Sequence, residues 1–417
     1  MLGVEQDDRR ERPGHRVAGM DRIERFADVV VRAGVNLQPG QGVVLHTDTA
    51  HLEIARAVVE AAYAAGAGWV EPVWTDGPMR RSAVDHAELE TLRGSRGWAL
   101  QRIQEWREQG AASITLIGDA DPHLLDGADP AKAAAVPVEE VRARRAAIMS
   151  GMRWTAVGAP NPGWANQVFG EPDVERLWEA VGVAMRLDEP DPAAAWRERS
   201  ETLAARGAEL DALELTEIRY QGGGTDLTVG LIPGCHWTGG GMVDAQGIAY
   251  MPNIPTEEVF TSPDRRRAEG VIRLTKPLVL NGRLVEGLRV EFAGGRIVKV
   301  SADAGAEAVE AQLDSDPGAR FLGEVSLVDR DSRIARAGIV FHNMLFDENA
   351  GCHVAWGQSF PFAVAGGIGM SESERTDLGL NTSTVHTDVV IGGDGLTVTG
   401  TGPKGTVEII RDDEWVL

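Results

Sequence analysis

Val43-Val44-Leu45-His46 is a short apolar run that follows a turn at residues 36–42, and it has the pattern of a buried strand. An Ala-rich helix is predicted at residues 50–65, and Trp69-Val70-Glu71-Pro72-Val73-Trp74 is predicted to be the next strand. A strand, a helix and a strand at this spacing form a βαβ unit, in which the two strands run parallel. The N-terminal half is therefore predicted to be an α/β domain with a largely parallel sheet.

Elements on either side of that unit extend the pattern. Apolar residues recur with helical spacing over residues 21–33, and Asp21 is placed to cap that helix. Ala112–Ile117 repeats the buried-strand pattern, and residues 133–149 are predicted to form a further helix. The glycines after these strands form neither a G-x-G-x-x-G motif nor a P-loop, so this half is not expected to bind a nucleotide.

The second half of the sequence has a different pattern of predicted secondary structure. A break at residues 188–192 precedes a charged helix that is predicted to run to about Leu213. Beyond it, short β-like runs are separated by Gly-rich turns, as in an antiparallel sheet; the runs are 213–220, 227–231, 271–274, 288–292 and 296–300. Because 417 residues exceed one ordinary core, we expect a multidomain protein. Its predicted parts are a disordered extension (1–19), the α/β domain (20–205) and a mostly antiparallel α+β domain (206–417).

Composition excludes several partners. The formal net charge of -22 argues against nucleic-acid binding, which requires basic patches. No apolar run approaches the roughly 20 residues of a membrane span, and the N-terminus lacks the apolar centre of a signal peptide. Cys235 and Cys352 are the only cysteines, so neither a disulfide framework nor a thiolate zinc site is expected. These features predict a cytoplasmic protein.

Ionisable residues in apolar surroundings are concentrated in the second half. They include Glu258, Glu324, His353, His386 and Asp388. A charged side chain in such a setting is costly to bury unless something neutralises it, and a divalent cation does so. His386 and Asp388 are two residues apart, which places both on one face of a strand. Histidine with carboxylate ligands suits zinc, cobalt, manganese or ferrous iron. The C-terminal domain is thus predicted to hold a metal-dependent catalytic site.

Each of these features also has a structural interpretation. An H-x-D sequence is common by chance, Glu257 and Glu258 could be a solvated pair, and Glu324 could be a charge at a strand edge. Asp347 and Glu348 could cap a helix that begins near residue 349. On spacing alone, the metal site and the structural interpretation remain evenly balanced.

Longer motifs around these residues resemble a known family. The segments are Gly34-Val35-Asn36-Leu37-Gln38-Pro39-Gly40-Gln41, Asn253-Ile254-Pro255-Thr256-Glu257-Glu258-Val259-Phe260-Thr261, Gly323-Glu324, Leu345-Phe346-Asp347-Glu348-Asn349-Ala350-Gly351-Cys352-His353 and His386-Thr387-Asp388. They resemble the thermophilic-type metalloaminopeptidases, the aminopeptidase T / AmpS family (peptidase family M29). The resemblance covers nearly everything from residue 20 to the C-terminus.

The resemblance implies a cytoplasmic metalloprotease that hydrolyses N-terminal residues from peptides, with a water activated by two divalent ions of zinc, cobalt or manganese. It implies that the metal ligands are Glu258, Glu324, His353, His386 and Asp388. It also implies a homodimer with a shielded active site, and hence short peptide substrates. A further carboxylate should move a proton to the leaving amine. Glu257 is the candidate because it adjoins Glu258, although adjacency places it on the opposite face of a regular strand.

The chain departs from the family pattern at one position. The family usually carries a tyrosine seven residues after the first histidine of the motif, and here that position is Phe360. The ring is kept and the hydroxyl, a donor to the transition state, is lost. Loss of one such donor costs roughly 10²–10³ in rate. Tyr250, just before the motif at residues 253–261, is the candidate substitute donor.

Two other functions remain open. Related proteins on this scaffold resemble ring-cleaving dioxygenases that act on dihydroxypyridines and need two histidines and one carboxylate around a single ferrous iron. His353, His386 and Asp388 could supply that triad, but a one-metal site would not need the two glutamates. The other is a catalytically impaired or non-catalytic homologue with a vestigial site, which Phe360 favours and five intact ligands oppose.

Overall fold

A computed structural model of the 417-residue chain describes residues 21–280 and 283–417. The predicted disordered extension, residues 1–19, lies outside the described residues. A five-stranded parallel sheet, two antiparallel sheets of five and eight strands, and two short hairpins form the framework of the described chain. Within these ranges no helix is long and apolar enough to cross a membrane.

Helices and strands alternate in the first half. Its helices are α1 (Arg22–Val29), α2 (Leu52–Ala64), α3 (Gly77–His86), α4 (Leu89–Arg93), α5 (Gly97–Glu108), α6 (Pro130–Ala133), α7 (Val138–Met149), α8 (Pro162–Phe169), α9 (Val174–Ala184) and α10 (Pro192–Ala212). Its strands are β1 (Gly42–Asp48), β2 (Trp69–Thr75), β3 (Ala112–Ile117) and β4 (Trp154–Gly158). The predicted βαβ unit is confirmed as β1, α2 and β2, with β1 and β2 parallel.

The start of α1 shows why the chain becomes helical at this point. The Asp21 side chain accepts hydrogen bonds from the backbone N–H groups of Ile23 and Glu24, and the Glu24 side chain accepts from the Asp21 N–H. This reciprocal arrangement satisfies donors that have no partner within the helix. The cap predicted at Asp21 is confirmed, although the last turn of the predicted helix, Val30–Gly34, is a π-helix.

One predicted helix is divided in two. Residues 133–149 comprise the end of α6 and the whole of α7, and Pro137 lies between them. Proline has no N–H to donate and disfavours the helical conformation of the residue before it, so a continuous helix cannot form here.

The second half consists mainly of short strands. They are β5 (Glu217–Gly222), β6 (Thr225–Leu231), β7 (Thr238–Gly239), β8 (Met242–Val243), β9 (Ala249–Tyr250), β10 (Asn253–Ile254), β11 (Glu258–Thr261), β12 (Pro263–Arg273), β13 (Leu278–Leu280), β14 (Arg283–Val285), β15 (Arg289–Ala293), β16 (Arg296–Ser301), β17 (Leu322–Val328), β18 (His353–Gly357), β19 (His386–Val390), β20 (Thr397–Gly402), β21 (Gly405–Arg411) and β22 (Glu414–Trp415). Its helices are α11 (Ala306–Leu313), α12 (Arg333–Ala337), α13 (Met344–Asp347) and α14 (Glu372–Leu378).

Most of these strands belong to two antiparallel sheets. One has the order β19-β18-β17-β11-β7, and the other has the order β16-β15-β12-β6-β5-β20-β21-β22. The runs predicted at 227–231, 288–292 and 296–300 correspond to β6, β15 and β16. The antiparallel arrangement predicted for the second half is therefore confirmed.

The parallel sheet joins the two halves of the chain. Its order is β10-β4-β3-β1-β2, so a strand of the second half forms one edge. In the interior strand β1, Val43, Val44 and Leu45 are fully buried, as expected for a parallel strand covered on both faces. Because β10 ends only four residues before Glu258, this sheet helps to position the predicted metal site.

Helix α10 contributes side chains to two hydrophobic cores, its first turns to one and its later turns to the other. Trp196 is buried in the core around the parallel sheet, whereas Leu203 and Leu210 are buried in the core around the antiparallel sheets. Complete burial of each such side chain contributes about 1.5–3 kcal/mol, so α10 is anchored to both. The domain boundary predicted between residues 205 and 206 falls inside this helix and stays a prediction.

Candidate metal centre

Four neighbouring strands of one antiparallel sheet carry the five predicted ligands. Glu258 begins β11, Glu324 lies in β17, His353 begins β18, and β19 supplies His386 and Asp388. The strands are adjacent in the order β19-β18-β17-β11. Because paired strands lie a fixed distance apart, residues that are distant in sequence are brought side by side.

A glycine allows the strand that carries Glu324 to approach its neighbour. The register between β17 and β18 shifts between Leu322 and Glu324, which marks a β-bulge. A side chain at Gly323 would meet the carbonyl oxygens of Gly357 and Gln358 at 2.5 and 2.4 Å. Only glycine tolerates so close a backbone approach. The close contact between the two strands therefore explains why glycine precedes Glu324 in the sequence.

The five side chains converge around Glu324. The Nε2 atom of His353 lies 3.6 Å from Glu324 Oε1, and the Nε2 atom of His386 lies 3.2 Å from Glu324 Oε2. Glu258 Oε2 is 3.1 Å from His353 Nε2, and Asp388 Oδ1 is 3.4 Å from His386 Nε2. Two groups of possible ligands result, one of Glu258, Glu324 and His353 and one of Glu324, His386 and Asp388. They share Glu324.

Backbone carbonyl groups orient both imidazoles. The Nδ1 atom of His386 lies 2.8 Å from the carbonyl oxygen of Gln358, and the Nδ1 atom of His353 lies 3.4 Å from that of Gly351. A carbonyl oxygen only accepts, so in each ring Nδ1 carries a proton and Nε2 faces the carboxylates. Ser326 also supports the cluster, because its hydroxyl donates to Glu258 Oε2 at 2.8 Å.

Burial and charge act strongly on these groups. The side chain of His353 is 1% exposed and that of Glu258 is 9% exposed. Burial lowers the pKa of His353 and His386, but the surrounding carboxylates outweigh it and raise both pKa values well above the usual range. Burial, together with the charge of Glu324, raises the pKa of Glu258, although its bond to His353 opposes this shift. The cluster is a negative site that attracts protons or metal cations.

A sixth ionisable residue belongs to this site and was not predicted as a ligand. Glu348 is 8% exposed and lines the same cavity as the five. Burial and the charges of Asp388 and Glu258 raise the pKa of Glu348 well above its usual range. The helix that the sequence placed near residue 349 is instead α13, which ends at Asp347. Glu348 continues that helix as the first residue of a 3-10 turn, Glu348–Ala350, and no side chain caps this turn, so the structure gives no support to the capping interpretation of Glu348.

The carboxylate of Asp347, unlike that of Glu348, accepts hydrogen bonds from the backbone of a nearby loop. Its carboxylate accepts hydrogen bonds from the backbone N–H groups of Phe341 and Asn343, at 2.7 and 3.0 Å. These bonds fix the loop that leads into α13. Burial nonetheless raises the pKa of Asp347 to about 7. Asp347 thus stabilises a loop, whereas the adjacent Glu348 lines the cavity beside the five predicted ligands.

Glu257 lies on the other side of the chain from Glu258. Its carboxylate is 1% exposed and forms ion pairs with Arg186 at 2.8 Å and Arg199 at 2.7 Å. Its backbone N–H donates to the Asn349 side chain at 2.6 Å. This position gives no support to the proton-transfer role predicted for Glu257, because both carboxylate oxygens are held by arginines away from the cluster.

A cavity of about 970 Å³ adjoins the cluster. Residues of both halves line it, including Met149 and Trp154 of the first half and Tyr250 and Phe360 of the second. The Tyr250 hydroxyl lies 3.7 Å from the Met242 sulfur, and burial raises the pKa of Tyr250 to about 12. The Phe360 ring lies 5.0 Å from that of His386, centroid to centroid. The roles predicted for Tyr250 and Phe360 stay predictions.

The arrangement has a clear chemical character. Buried imidazole nitrogens and carboxylate oxygens beside a cavity form the donor set that zinc, cobalt and manganese prefer. Two ligand groups that share one carboxylate are typical of hydrolases that use a pair of metal ions. The fold and the cluster therefore define the class as a metal-dependent hydrolase with its centre on an antiparallel sheet.

Comparisons with known proteins narrow this class to one family. The thermophilic metalloprotease (M29) family matches residues 20–415. Aminopeptidase T of Thermus aquaticus is 38% identical over 406 residues, with 95% of this chain and 99% of that protein covered. Aminopeptidase PepS of Streptococcus thermophilus is 36% identical over 407 residues, with 95% and 98% covered. Wild-type AmpT from Thermus thermophilus has a structure with a TM-score of 0.87 at 36% identity, covering 95% of this chain and 99% of that one.

The chain belongs to the thermophilic metalloprotease family M29. This membership confirms the family that the motifs predicted and the prediction that the protein is a metallopeptidase. The similarity to the AmpT structure also confirms the predicted fold class, a parallel α/β part with a mostly antiparallel second part.

Proposed function

We propose that the protein is an aminopeptidase that removes N-terminal residues from peptides with the help of two divalent ions. The observation that supports this most directly is the pair of ligand groups that share Glu324. One group can hold each ion, with Glu324 between them. The relatives that cover almost the whole chain are aminopeptidases by name, which supports the same activity here.

The charges of the cluster fit two divalent cations. Glu258, Glu324, Glu348 and Asp388 carry four negative charges when ionised, which equals the charge of two such ions. Among the described residues, the cationic groups that pair with this cluster are the imidazoles of His353 and His386, with no lysine or arginine. A buried carboxylate without a counter-charge is costly. We therefore propose that Glu348, which lines the same cavity, adds its negative charge to the site beside the five ligands that the sequence predicted.

The chain itself positions and shields the reaction. When bound, the two ions supply a water of lowered pKa and polarise the peptide carbonyl. The carbonyl oxygens of Gln358 and Gly351 keep Nε2 of each histidine directed at the cluster, so no reorganisation is needed when ions bind. Zinc, cobalt and manganese all suit this set of nitrogen and oxygen donors.

The transition state requires a hydrogen-bond donor that Phe360 cannot supply. Tyr250 lines the same cavity and, with a pKa of about 12, keeps its proton at neutral pH. We assign Tyr250 as the substitute donor. Tyr250→Phe should then lower kcat by roughly 10²-fold, the cost of one oxyanion donor. An unchanged kcat would remove Tyr250 from the mechanism.

We further propose that the substrates are short peptides, that the protein is a homodimer and that it is cytoplasmic. A cavity of about 970 Å³ fits short, unfolded peptides. A homodimer would cover apolar side chains that one chain leaves in solvent, such as Met79 (75% exposed) and Trp98 (65% exposed). Both cysteines are free thiols, which suits the reducing cytoplasm.

The ring-cleaving dioxygenase is less well supported. Its single iron would need His353, His386 and Asp388 with open positions. Here His353 is closer to Glu258 and Glu324, at 3.1 and 3.6 Å, than to Asp388, at 3.9 Å. The geometry thus favours two groups over one triad.

Release of amino acids from leucine, phenylalanine and alanine p-nitroanilides tests the proposal. The purified protein should be inactive after chelation and regain activity with zinc, cobalt or manganese. N-terminally acetylated peptides should resist cleavage, because an aminopeptidase requires the free amine. Absence of metal-dependent release with all three ions would contradict the proposed function.

A further inference from the structure

Three phenylalanines form an aromatic surface beside the candidate metal centre. Phe260, Phe360 and Phe362 are half-buried and line the cavity. Their ring centroids lie 5.3 to 6.2 Å apart: 5.5 Å for Phe260 and Phe360, 6.2 Å for Phe260 and Phe362, and 5.3 Å for Phe360 and Phe362. We call these three residues the phenylalanine wall. Rings at this separation contact one another and form one continuous apolar face.

The wall begins at the metal ligands. Phe260 lies two residues after Glu258 in β11, so both side chains project from the same face of that strand. The Phe360 ring lies 5.0 Å from the ring of His386. One phenylalanine is therefore fixed to a strand that supplies a ligand, and another touches a ligand directly.

Hydrogen bonds hold the wall in place without a substrate. The backbone N–H of Phe360 donates to the Ser262 hydroxyl at 2.9 Å, and that hydroxyl lies 3.3 Å from the Phe360 carbonyl oxygen. Ser262 is fully buried and directly follows β11. The segment that carries Phe360 is thus tied to the strand that carries Phe260, and the wall is preorganised.

The chemistry of the wall selects its ligand. None of its three side chains offers a hydrogen-bond donor or acceptor, because all three are phenylalanines, whose rings carry no polar atom. Ile368, which is 55% exposed and lines the same cavity, extends the apolar surface. Partly solvated rings in a cavity gain free energy when an apolar group covers them.

We propose that the phenylalanine wall is the subsite for the first side chain of the peptide and that it selects aromatic and large aliphatic N-terminal residues. This inference rests on the proposed aminopeptidase function. The first side chain is attached to the carbon next to the scissile carbonyl, so it must lie beside the metal ligands, where the wall begins. The side chain of the second residue lies one peptide unit further away.

Substrate preference in a Phe362 variant tests this assignment. Phe362 is chosen because its ring contacts are with Phe260 and Phe360, not with a metal ligand. The wild-type kcat/KM should be about 10- to 100-fold higher for phenylalanine than for alanine p-nitroanilide, the range that burial of a large apolar side chain supplies. Phe362→Ala should reduce that ratio by about tenfold.

Two further variants serve as controls. Phe169→Ala removes a half-buried phenylalanine that packs on Arg176 outside the wall, and it should leave the ratio unchanged. Phe362→Leu keeps an apolar side chain and a folded wall if Phe362→Ala proves unstable, and it should lower the ratio by a smaller factor. A wild-type ratio near one, or an equal loss on both substrates in the Phe362 variants, would overturn the proposal.

Dipeptides identify which side chain the wall contacts. Phe362→Ala should lower kcat/KM for Phe-Ala by about tenfold more than for Ala-Phe, since only the former places an aromatic ring in the first position. The opposite order would assign the wall to the second residue and overturn the proposal.

Binding separates this inference from the proposed function. If no peptide is cleaved with zinc, cobalt or manganese, the aminopeptidase proposal fails, but the wall can still be tested by calorimetry with free amino acids. The metal-loaded protein should bind phenylalanine at least about tenfold more tightly than alanine. Phe362→Ala should lose most of this difference. Equal binding of the two amino acids by the wild type would overturn the proposal.

Discussion

Two buried charged clusters lie on opposite sides of the chain at Glu257 and Glu258, and their charges are balanced in different ways. Glu257 is paired with Arg186 and Arg199, so the protein supplies its counter-charge. Glu258 lies among other carboxylates, and its cationic partner within the described chain is His353. A buried acid paired with arginine stabilises a fold, whereas a group of acids that outnumbers its histidine partners attracts further cations from outside. Neighbouring residues of one motif thus belong to a structural cluster and to a candidate metal site.

Removal of the shared ligand should have the largest effect. Glu324→Ala disrupts both ligand groups, so kcat/KM should fall on the order of a thousandfold or more because the activated water is lost. Hydrolysis of leucine p-nitroanilide measures this, with Glu307→Ala as the control, since Glu307 is an exposed glutamate paired with Arg283. A loss of less than tenfold in Glu324→Ala would show that the cluster is not the reaction centre.

Removal of one partner from the structural cluster should affect stability instead. Arg186→Met leaves Glu257 with Arg199 alone, and the free energy of unfolding should fall by about 3 kcal/mol, because an acid buried with incomplete compensation is costly. Denaturant unfolding of the metal-loaded protein measures this change. In the complementary variant, Glu257→Gln, kcat should stay within about threefold of wild type. A large fall in kcat would support the proton-transfer role predicted for Glu257.

A tyrosine at position 360, as the resemblance to the family implies, should show whether a hydroxyl beside the candidate metal centre assists the reaction. Phe360→Tyr keeps the ring beside His386 and adds a donor, so kcat should rise by about 10- to 100-fold in the Tyr250→Phe variant, which lacks the substitute donor, and by less than about tenfold in the wild type. Phe321→Tyr adds a hydroxyl to a ring that packs on Arg265 and Arg296 instead, and it should leave kcat unchanged. A fall in kcat for Phe360→Tyr would mean that the cavity has adapted to phenylalanine.

The smallest predicted effect is the dependence of folding stability on the protonation of His46, which lies near two arginines. Burial, with the charges of Arg144 and Arg102, lowers the pKa of His46 to about 4 from 6.5. As pH falls, His46 binds a proton near pH 6.5 in the unfolded chain but only near pH 4 in the folded protein. Protonation therefore favours the unfolded chain, and the folded protein loses stability as pH falls from 6.5 towards 4. Between pH 7 and pH 5 the loss is on the order of 2 kcal/mol.

Denaturant unfolding at pH 7 and pH 5 measures this contribution. His46→Phe keeps a ring beside Trp106 and should make stability less dependent on pH over that interval. His86→Gln, at an exposed position, is the control and should behave as the wild type does. A pH dependence unchanged in His46→Phe would show that His46 is not the source.

The sequence predicted local elements well because their causes are local. The buried run at Val43 and the capping residue Asp21 determine a strand and a helix through contacts with near neighbours. Residue spacing could not predict that β10 (Asn253–Ile254) joins the parallel sheet of the first half. Its partner β4 lies about a hundred residues earlier in the chain.

The site was predicted where side-chain direction follows from strand periodicity. His386 and Asp388 are two residues apart on one strand and meet at 3.4 Å, as that spacing requires. The same alternation separated Glu257 from Glu258, but its arginine partners lie in distant parts of the chain and were not predictable. Glu348 was not predicted as part of the site, because capping of a helix near residue 349 remained an open alternative for Asp347 and Glu348.

The metal content of the purified protein tests the central claim most directly. Mass spectrometry of the protein loaded with zinc, cobalt or manganese, combined with anomalous scattering from its crystals, counts and locates each ion. We predict two ions per chain, one on each side of Glu324, and loss of both in Glu324→Ala. A single ion bound by His353, His386 and Asp388 alone, or no ion at the cluster, would contradict the account.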